Sequence, residues 1–126
     1  MIGVGIIGAG FMGRHHFAQY ESLSSRAKVV ALCDTQEDRR RGDWSKVGGN
    51  IGEGGAKREL KGVKPYADWR ELLADPEVEM IDICVPTYLH KEMAIAALAT
   101  GKHVLCEKPM ALTVKDCDEV LAAASK

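Results

Sequence analysis

Ile2-Gly3-Val4-Gly5-Ile6-Ile7-Gly8-Ala9-Gly10-Phe11-Met12-Gly13 is the stretch that decides the fold. An apolar run rich in β-branched residues leads directly into Gly8-x-Gly10-x-x-Gly13. Met12, His16, Tyr20 and Leu23 then recur at helical spacing. The pattern predicts a strand over Ile2 to Ile7, a tight turn, and a helix from about Met12 to Ser24. Each glycine has its own task. Gly8 permits the turn, Gly10 lets a pyrophosphate approach the backbone, and Gly13 lets the helix lie close to the strand. The free N–H groups that open such a helix, at the positive end of its dipole, are where a pyrophosphate would rest.

Glycine-rich turns are common, so the motif needs context. A second apolar run, Lys28-Val29-Val30-Ala31-Leu32-Cys33, ends in Asp34, 21 residues after Gly13. The dinucleotide fingerprint asks for an acid about 20 residues on. A carboxylate there accepts both ribose hydroxyls and repels a 2′-phosphate, which favours NAD over NADP. The plainer reading makes Asp34 a helix N-cap. Arg39-Arg40-Arg41 is the one basic run, and Glu37 and Asp38 precede it. That order suits the first turn of a solvated helix, with an arginine contact to a 2′-phosphate as the secondary reading.

The 126 residues suggest one domain, and the net charge of −1 implies no nucleic-acid or acidic-membrane partner. No apolar run reaches the length of a membrane span. The N-terminus shows neither a charged leader region nor a cleavage site, so a cytoplasmic location is expected. Cys33, Cys84, Cys106 and Cys117 have neither CxxC nor zinc spacing. Buried, reduced thiols are expected, and no metal site.

Further along, a helix is predicted from about Gln36 to Val47. Gly48 to Gly55 holds five glycines in eight residues and reads as a loop, either a solvated insertion or a flap. A short strand over Val63 to Tyr66 follows. Asp68 with Glu71 marks an N-cap, and Asp75-Pro76 ends that helix. Met80 to Val85 reads as a strand stopped by Pro86. A helix from about Tyr88 to Thr100 follows, closed by Gly101. Lys102 to Cys106 is the fifth strand, and Thr113 caps a last helix whose inward face is expected to be Val114, Cys117, Leu121 and Ala124.

Strands and helices alternate five times. This predicts an α/β chain, a doubly wound parallel sheet with helices on both faces. Ligands then bind outside the carboxyl ends of the strands. The residues to inspect are Gly8 to Met12, Asp34, Pro86 to His90, and Glu107 to Pro109. Pro86 breaks its strand, Thr87 caps the next helix, and His90 would face the cleft from its first turn. A capping or surface histidine is the plainer reading from spacing alone. Glu107-Lys108-Pro109 puts an acid and a base at a strand end. Lys108 could donate to a substrate oxygen and move a proton beside a nicotinamide. It could equally form a surface pair with Glu107 before a turn proline.

Taken together, Gly8-Ala9-Gly10-Phe11-Met12-Gly13, Asp34, Pro86-Thr87-Tyr88-Leu89-His90 and Gly101-Lys102-His103-Val104-Leu105-Cys106-Glu107-Lys108-Pro109 resemble the Gfo/Idh/MocA oxidoreductases. The resemblance covers essentially the whole chain, and Glu-Lys-Pro is its most specific element. It implies a Rossmann domain in which Lys108 is the catalytic residue, touching substrate and nicotinamide near the hydride-transfer centre. It implies cofactor contacts from Gly8, Gly10, Phe11, Met12, Asp34, Pro86, Thr87, His90, Glu107, Lys108 and Pro109. Two features depart from the family pattern: Tyr88 stands where asparagine is usual, and the Gly48 to Gly55 loop is long. Members of the family continue into a second α/β domain that holds the substrate and sets the oligomer. Residues 1–126 therefore read as the dinucleotide-binding domain alone, and the full-length form as a homo-oligomeric dehydrogenase of a sugar, polyol or related alcohol. The competing reading is a stand-alone, non-catalytic dinucleotide-binding module, a redox sensor or a subunit completed by another chain. Lys108 argues for the enzyme, because such a module has no use for it.

Overall fold

Ile2–Ile7 forms β1 and is buried along all but its first residue. Both faces of this strand are covered, which is why its sequence is almost continuously apolar. Val4 and Ile6 pack to one side with Phe17, Leu32 and Trp44. Ile7 packs to the other with Leu72, Ile81, Ile83, Met93 and Val120. The computed structural model describes residues 1–48 and 57–126. Apart from Gly48, the predicted glycine-rich loop lies outside the described residues.

The five strands are β1, β2 (Ala27–Cys33), β3 (Lys64–Tyr66), β4 (Met80–Ile83) and β5 (His103–Cys106). They form one sheet in the order β3-β2-β1-β4-β5, and every pairing is parallel. The chain winds outward from β1 to β2 and β3, then returns to lay β4 and β5 on the other side. The reversal between β1 and β4 makes the crevice where open parallel sheets bind ligands. Helix α1 (Phe11–Ser22) covers one face through Phe17. Helices α3 (Trp69–Leu73), α4 (His90–Ala99) and α5 (Val114–Ala124) cover the other. The Asp68 carboxylate accepts from the Arg70 N–H and the Thr113 hydroxyl from the Asp116 N–H, so these two predicted caps are formed. The cap expected from Thr87 is not: Thr87 lies inside a 3₁₀ turn, and α4 starts after Leu89 with no side-chain cap. Among the described residues no helix is long and apolar enough to cross a membrane.

Two predicted elements are corrected. The helix expected over Gln36 to Val47 is one turn only, α2 (Glu37–Arg40). The chain then turns at Gly42, whose φ is 95°. This sends Trp44 inward to 2% exposure. Its ring meets Phe17 edge-on at 5.4 Å, and its Nε1–H donates to the Arg39 carbonyl. Burying a large aromatic outweighs continuing a charged helix. The inward face of α5 is also different: Val114 and Leu121 are exposed, and Val120 is the buried residue. Among the cysteines, Cys33 is buried and the other three are half-buried, all as free thiols.

Candidate cofactor cleft

At the carboxyl end of β1 the chain turns through Gly8, at φ 98°. The Gly8 N–H donates to the Cys33 carbonyl and the Cys84 N–H to the Ile7 carbonyl, each at 2.8 Å. The turn is therefore anchored to both neighbouring strand ends. A Cβ on Gly13 would stand 1.7 Å from the Gly8 carbonyl oxygen, so only glycine lets α1 start this close to the strand. Gly10 is the N-cap of α1 and no side chain caps it. That leaves the opening N–H groups for an anion.

Asp34 follows β2. Its Oδ2 accepts from the Ala9 N–H and its Oδ1 from the Gln36 N–H, both at 2.9 Å. Gly8, Gly10, Asp34, Arg39, Pro86 and Tyr88 are among the residues around a cleft of about 410 Å³. A Cβ built on Gly10 meets nothing closer than Arg39 Nη1 at 3.6 Å. The room beside Gly10 thus opens on the cleft, a cradle suited to a pyrophosphate. With the uncapped helix and the carboxylate of Asp34 alongside, the residues present fit a dinucleotide.

Of the predicted contacts, Gly8, Gly10, Asp34 and Pro86 line this cleft, and Phe11, Met12, Thr87, His90, Glu107, Lys108 and Pro109 are not among its lining residues. Phe11 and Met12 are half-buried in the first turn of α1. Pro86 opens a 3₁₀ turn over Thr87–Leu89. Thr87 lies beside a second groove, between α4 and α5. Tyr88, 68% exposed, borders both. The expectation for His90 is corrected. Its ring is 1% exposed and does not face the cleft. Nδ1 lies 2.8 Å from the Pro109 carbonyl oxygen and Nε2 2.8 Å from that of Val85. Neither nitrogen is left for a ligand. His90 instead ties the end of β4 to the turn after β5.

That turn is Glu107-Lys108-Pro109, with a cis Lys108–Pro109 peptide. The Glu107 N–H donates to the Ile83 carbonyl, and the Glu107 carboxylate accepts from the Lys108 N–H. Lys108 is exposed. Among the described residues its ammonium makes no hydrogen bond or ion pair.

Sequence reasoning missed a buried network beneath the turn. Asp82, in the middle of β4, is completely buried. Its Oδ2 accepts from Tyr20 Oη and lies 2.8 Å from His16 Nδ1, and its Oδ1 accepts from the Cys84 thiol. The other His16 nitrogen, Nε2, lies 2.7 Å from Glu107 Oε1. Burial, and then Asp82, push the Tyr20 hydroxyl and the Cys84 thiol well above their ordinary values. Burial, then Asp82 and Glu107, raise Cys106 to about 11. The ligand atoms of His16, Asp82 and Cys84 lie within 4.8 Å of one another, close enough to surround a metal ion. Hydrogen bonds already occupy each, and the thiol is held protonated. The available signal was an acid inside the apolar run Met80 to Val85, opposite His16 and Tyr20 spaced four apart on a helix.

The family model for the Gfo/Idh/MocA oxidoreductases, described as "Oxidoreductase family, NAD-binding Rossmann fold", matches residues 2–126. The inositol 2-dehydrogenase of Salmonella typhimurium is 33% identical over 122 residues, which cover 97% of this chain and 33% of that protein. The levoglucosan dehydrogenase of Pseudarthrobacter phenanthrenivorans is 35% identical over 121 residues, covering 89% of this chain and 27% of that protein. The solved NAD binding oxidoreductase from Klebsiella pneumoniae is 35% identical and superposes with a TM-score of 0.78, covering 98% of this chain and 31% of that one. The chain thus spans about a third of the length of the curated relatives it matches. It belongs to the Gfo/Idh/MocA oxidoreductase family and carries that family's NAD-binding Rossmann fold.

Proposed function

We propose that the chain holds NAD in the cleft between the glycine turn and Asp34, as the cofactor half of a dehydrogenase of a sugar, polyol or related small alcohol. One observation carries this reading: the open cradle beside Gly10 shares a cleft with the Asp34 carboxylate. Gly8, Gly10, Phe11 and Met12 present backbone to the pyrophosphate. Asp34 accepts the ribose hydroxyls and disfavours a 2′-phosphate. Pro86 and Thr87 border the nicotinamide side with Glu107, Lys108 and Pro109, while His90 contributes only through the turns it holds.

When bound, NAD supplies the hydride acceptor. The protein's part is to orient and to move a proton. The Lys108 ammonium, exposed and unpartnered among the described residues, is free to donate to a substrate oxygen and stabilise charge developing there. The substrate class rests on relatives named for inositol and levoglucosan. The substrate-holding surface and self-association are assigned to further parts of a full-length protein. A reducing, cytoplasmic setting suits the four free thiols.

The test is calorimetric titration of the chain with NAD and, separately, NADP. Binding of NAD with weaker binding of NADP is the expected result. Binding of neither overturns the cleft assignment.

A further inference from the structure

The three arginines Arg39-Arg40-Arg41 are used differently. Arg40 Nη1 donates to the carbonyl oxygens of Asp34 and Thr35, at 3.4 and 3.3 Å. Arg41 Nε donates to the Glu37 carboxylate on the exposed surface. Arg39 is the one of the three that lines the cofactor cleft. It is half-buried, and among the described residues its guanidinium makes no hydrogen bond or ion pair.

The backbone of Arg39 is held at both ends. Its N–H donates to the Asp38 carboxylate and its carbonyl accepts from the Trp44 indole, each at 2.9 Å. The burial of Trp44 thus fixes where the Arg39 side chain begins. Nη1 ends 3.6 Å from the place a Cβ on Gly10 would take. Asp34 borders the same cleft, yet its two oxygens accept from the Ala9 and Gln36 N–H groups and not from Arg39. A guanidinium is a cation with a planar fork of donors that matches phosphate oxygens. Half-buried beside Gly10, it lacks a counter-charge from the described residues. Two groups of a dinucleotide can supply one. The pyrophosphate is common to NAD and NADP and is assigned to the cradle beside Gly10. The 2′-phosphate belongs to NADP alone and would sit against the Asp34 carboxylate, which repels it.

We propose that Arg39 binds the pyrophosphate of the dinucleotide, reaching over the Gly10 cradle from α2. The glycine turn offers backbone N–H groups to the phosphates, and Arg39 offers the charged fork. Arg39 then adds affinity without choosing between NAD and NADP, and that choice is left to Asp34. The proposal rests on the reading of the cleft as a dinucleotide site.

The experiment is calorimetric titration of the wild-type chain and of Arg39→Gln with NAD and NADP. An NMR titration with adenosine, which carries no phosphate, runs beside it. Arg39→Gln should weaken NAD and NADP by the same factor, about 10- to 100-fold, as loss of a charge-assisted contact does. Adenosine should bind both proteins alike. Arg39→Lys keeps the charge without the fork and should recover part of the lost affinity. If Arg39→Gln does not fold, the Arg39 Nε–H resonance of the wild-type chain decides, since NAD should shift it and adenosine should not. Loss confined to NADP would put Arg39 at the 2′-phosphate and overturn the proposal. Equal weakening of adenosine, which would put the guanidinium on the nucleoside, also overturns it. A wild-type chain that binds no NAD strikes the cofactor assignment and this proposal with it. Normal NAD affinity in Arg39→Gln strikes this proposal alone.

Discussion

Oδ2 of Asp34 accepts a hydrogen bond from the Ala9 N–H at 2.9 Å. The acid at the end of β2 and the glycine turn after β1 are therefore one unit, 25 residues apart in sequence. The same carboxylate that would receive the ribose hydroxyls also shapes the turn that would receive the pyrophosphate. Asp34→Ala should lower NAD affinity at least tenfold and narrow the preference for NAD over NADP. It should also cost about 1–3 kcal/mol of stability, because the Ala9 N–H loses its acceptor. Titration with both nucleotides, alongside a thermal melt, checks this. Unchanged affinities remove Asp34 from the ribose site.

Gly10 and Gly13 are three residues apart and serve different masters. A methyl group on Gly13 would collide with the Gly8 carbonyl, whereas one on Gly10 would meet only Arg39 Nη1, at an ordinary contact distance of 3.6 Å. Gly13→Ala should therefore cost more than about 3 kcal/mol or prevent folding, since backbone cannot give way as a side chain can. Gly10→Ala should leave the melting temperature nearly unchanged and still weaken NAD binding, because the methyl fills the cradle. Urea unfolding and calorimetry on the pair separate the roles. Normal NAD affinity in Gly10→Ala would show that no ligand lies against that residue.

Lys108 is exposed and its ammonium is unpartnered among the described residues, so its removal should be invisible to the fold. Lys108→Met is expected to change the stability of the chain by less than about 0.5 kcal/mol. In a full-length dehydrogenase containing this domain, the same substitution should lower kcat/KM by about 100-fold or more, as loss of a positioned proton donor does. Cofactor affinity should change far less. Stopped-flow reduction of NAD measures the first effect and fluorescence titration the second. Normal turnover in the variant would end the catalytic assignment.

The parts of this fold that could be read from the sequence are those governed by local rules. The strands announce themselves by β-branched runs, and the caps at Asp68 and Thr113 by side chains that satisfy nearby N–H groups. The second helix failed because its fate is settled by Trp44, which is drawn against Phe17 on another element. The inward face of α5 failed for a related reason. Val114, Cys117, Leu121 and Ala124 share helical spacing, but the rotation of the helix is set by what it packs on, and Val120 wins. In the cleft, the residues meeting at the strand ends were legible because parallel topology puts them there. The burial of His90 and the network around Asp82 were not, since both depend on pairings across 19 and 66 residues.

Asp75 supplies a test of the electrostatics away from the cleft. Burial pushes its carboxyl upward, yet the Glu77 N–H, the Tyr66 hydroxyl and the Lys64 ammonium together hold it below the usual carboxylate range. A folded-state value below the unfolded one means that the unfolded chain takes up the proton first as pH falls. The contribution of Asp75 is thus fully present above the ordinary value of about 4 and disappears as pH drops through the lower folded value. Asp75→Asn removes the charge while keeping the size. It should cost about 1–2 kcal/mol at neutral pH, the scale of hydrogen bonds weakened around one buried group. That difference should shrink below about pH 4, where the wild-type carboxyl is also becoming neutral. Paired urea melts at neutral and acid pH measure it. A gap between the two proteins that stays constant with pH would mean that packing rather than charge makes Asp75 matter.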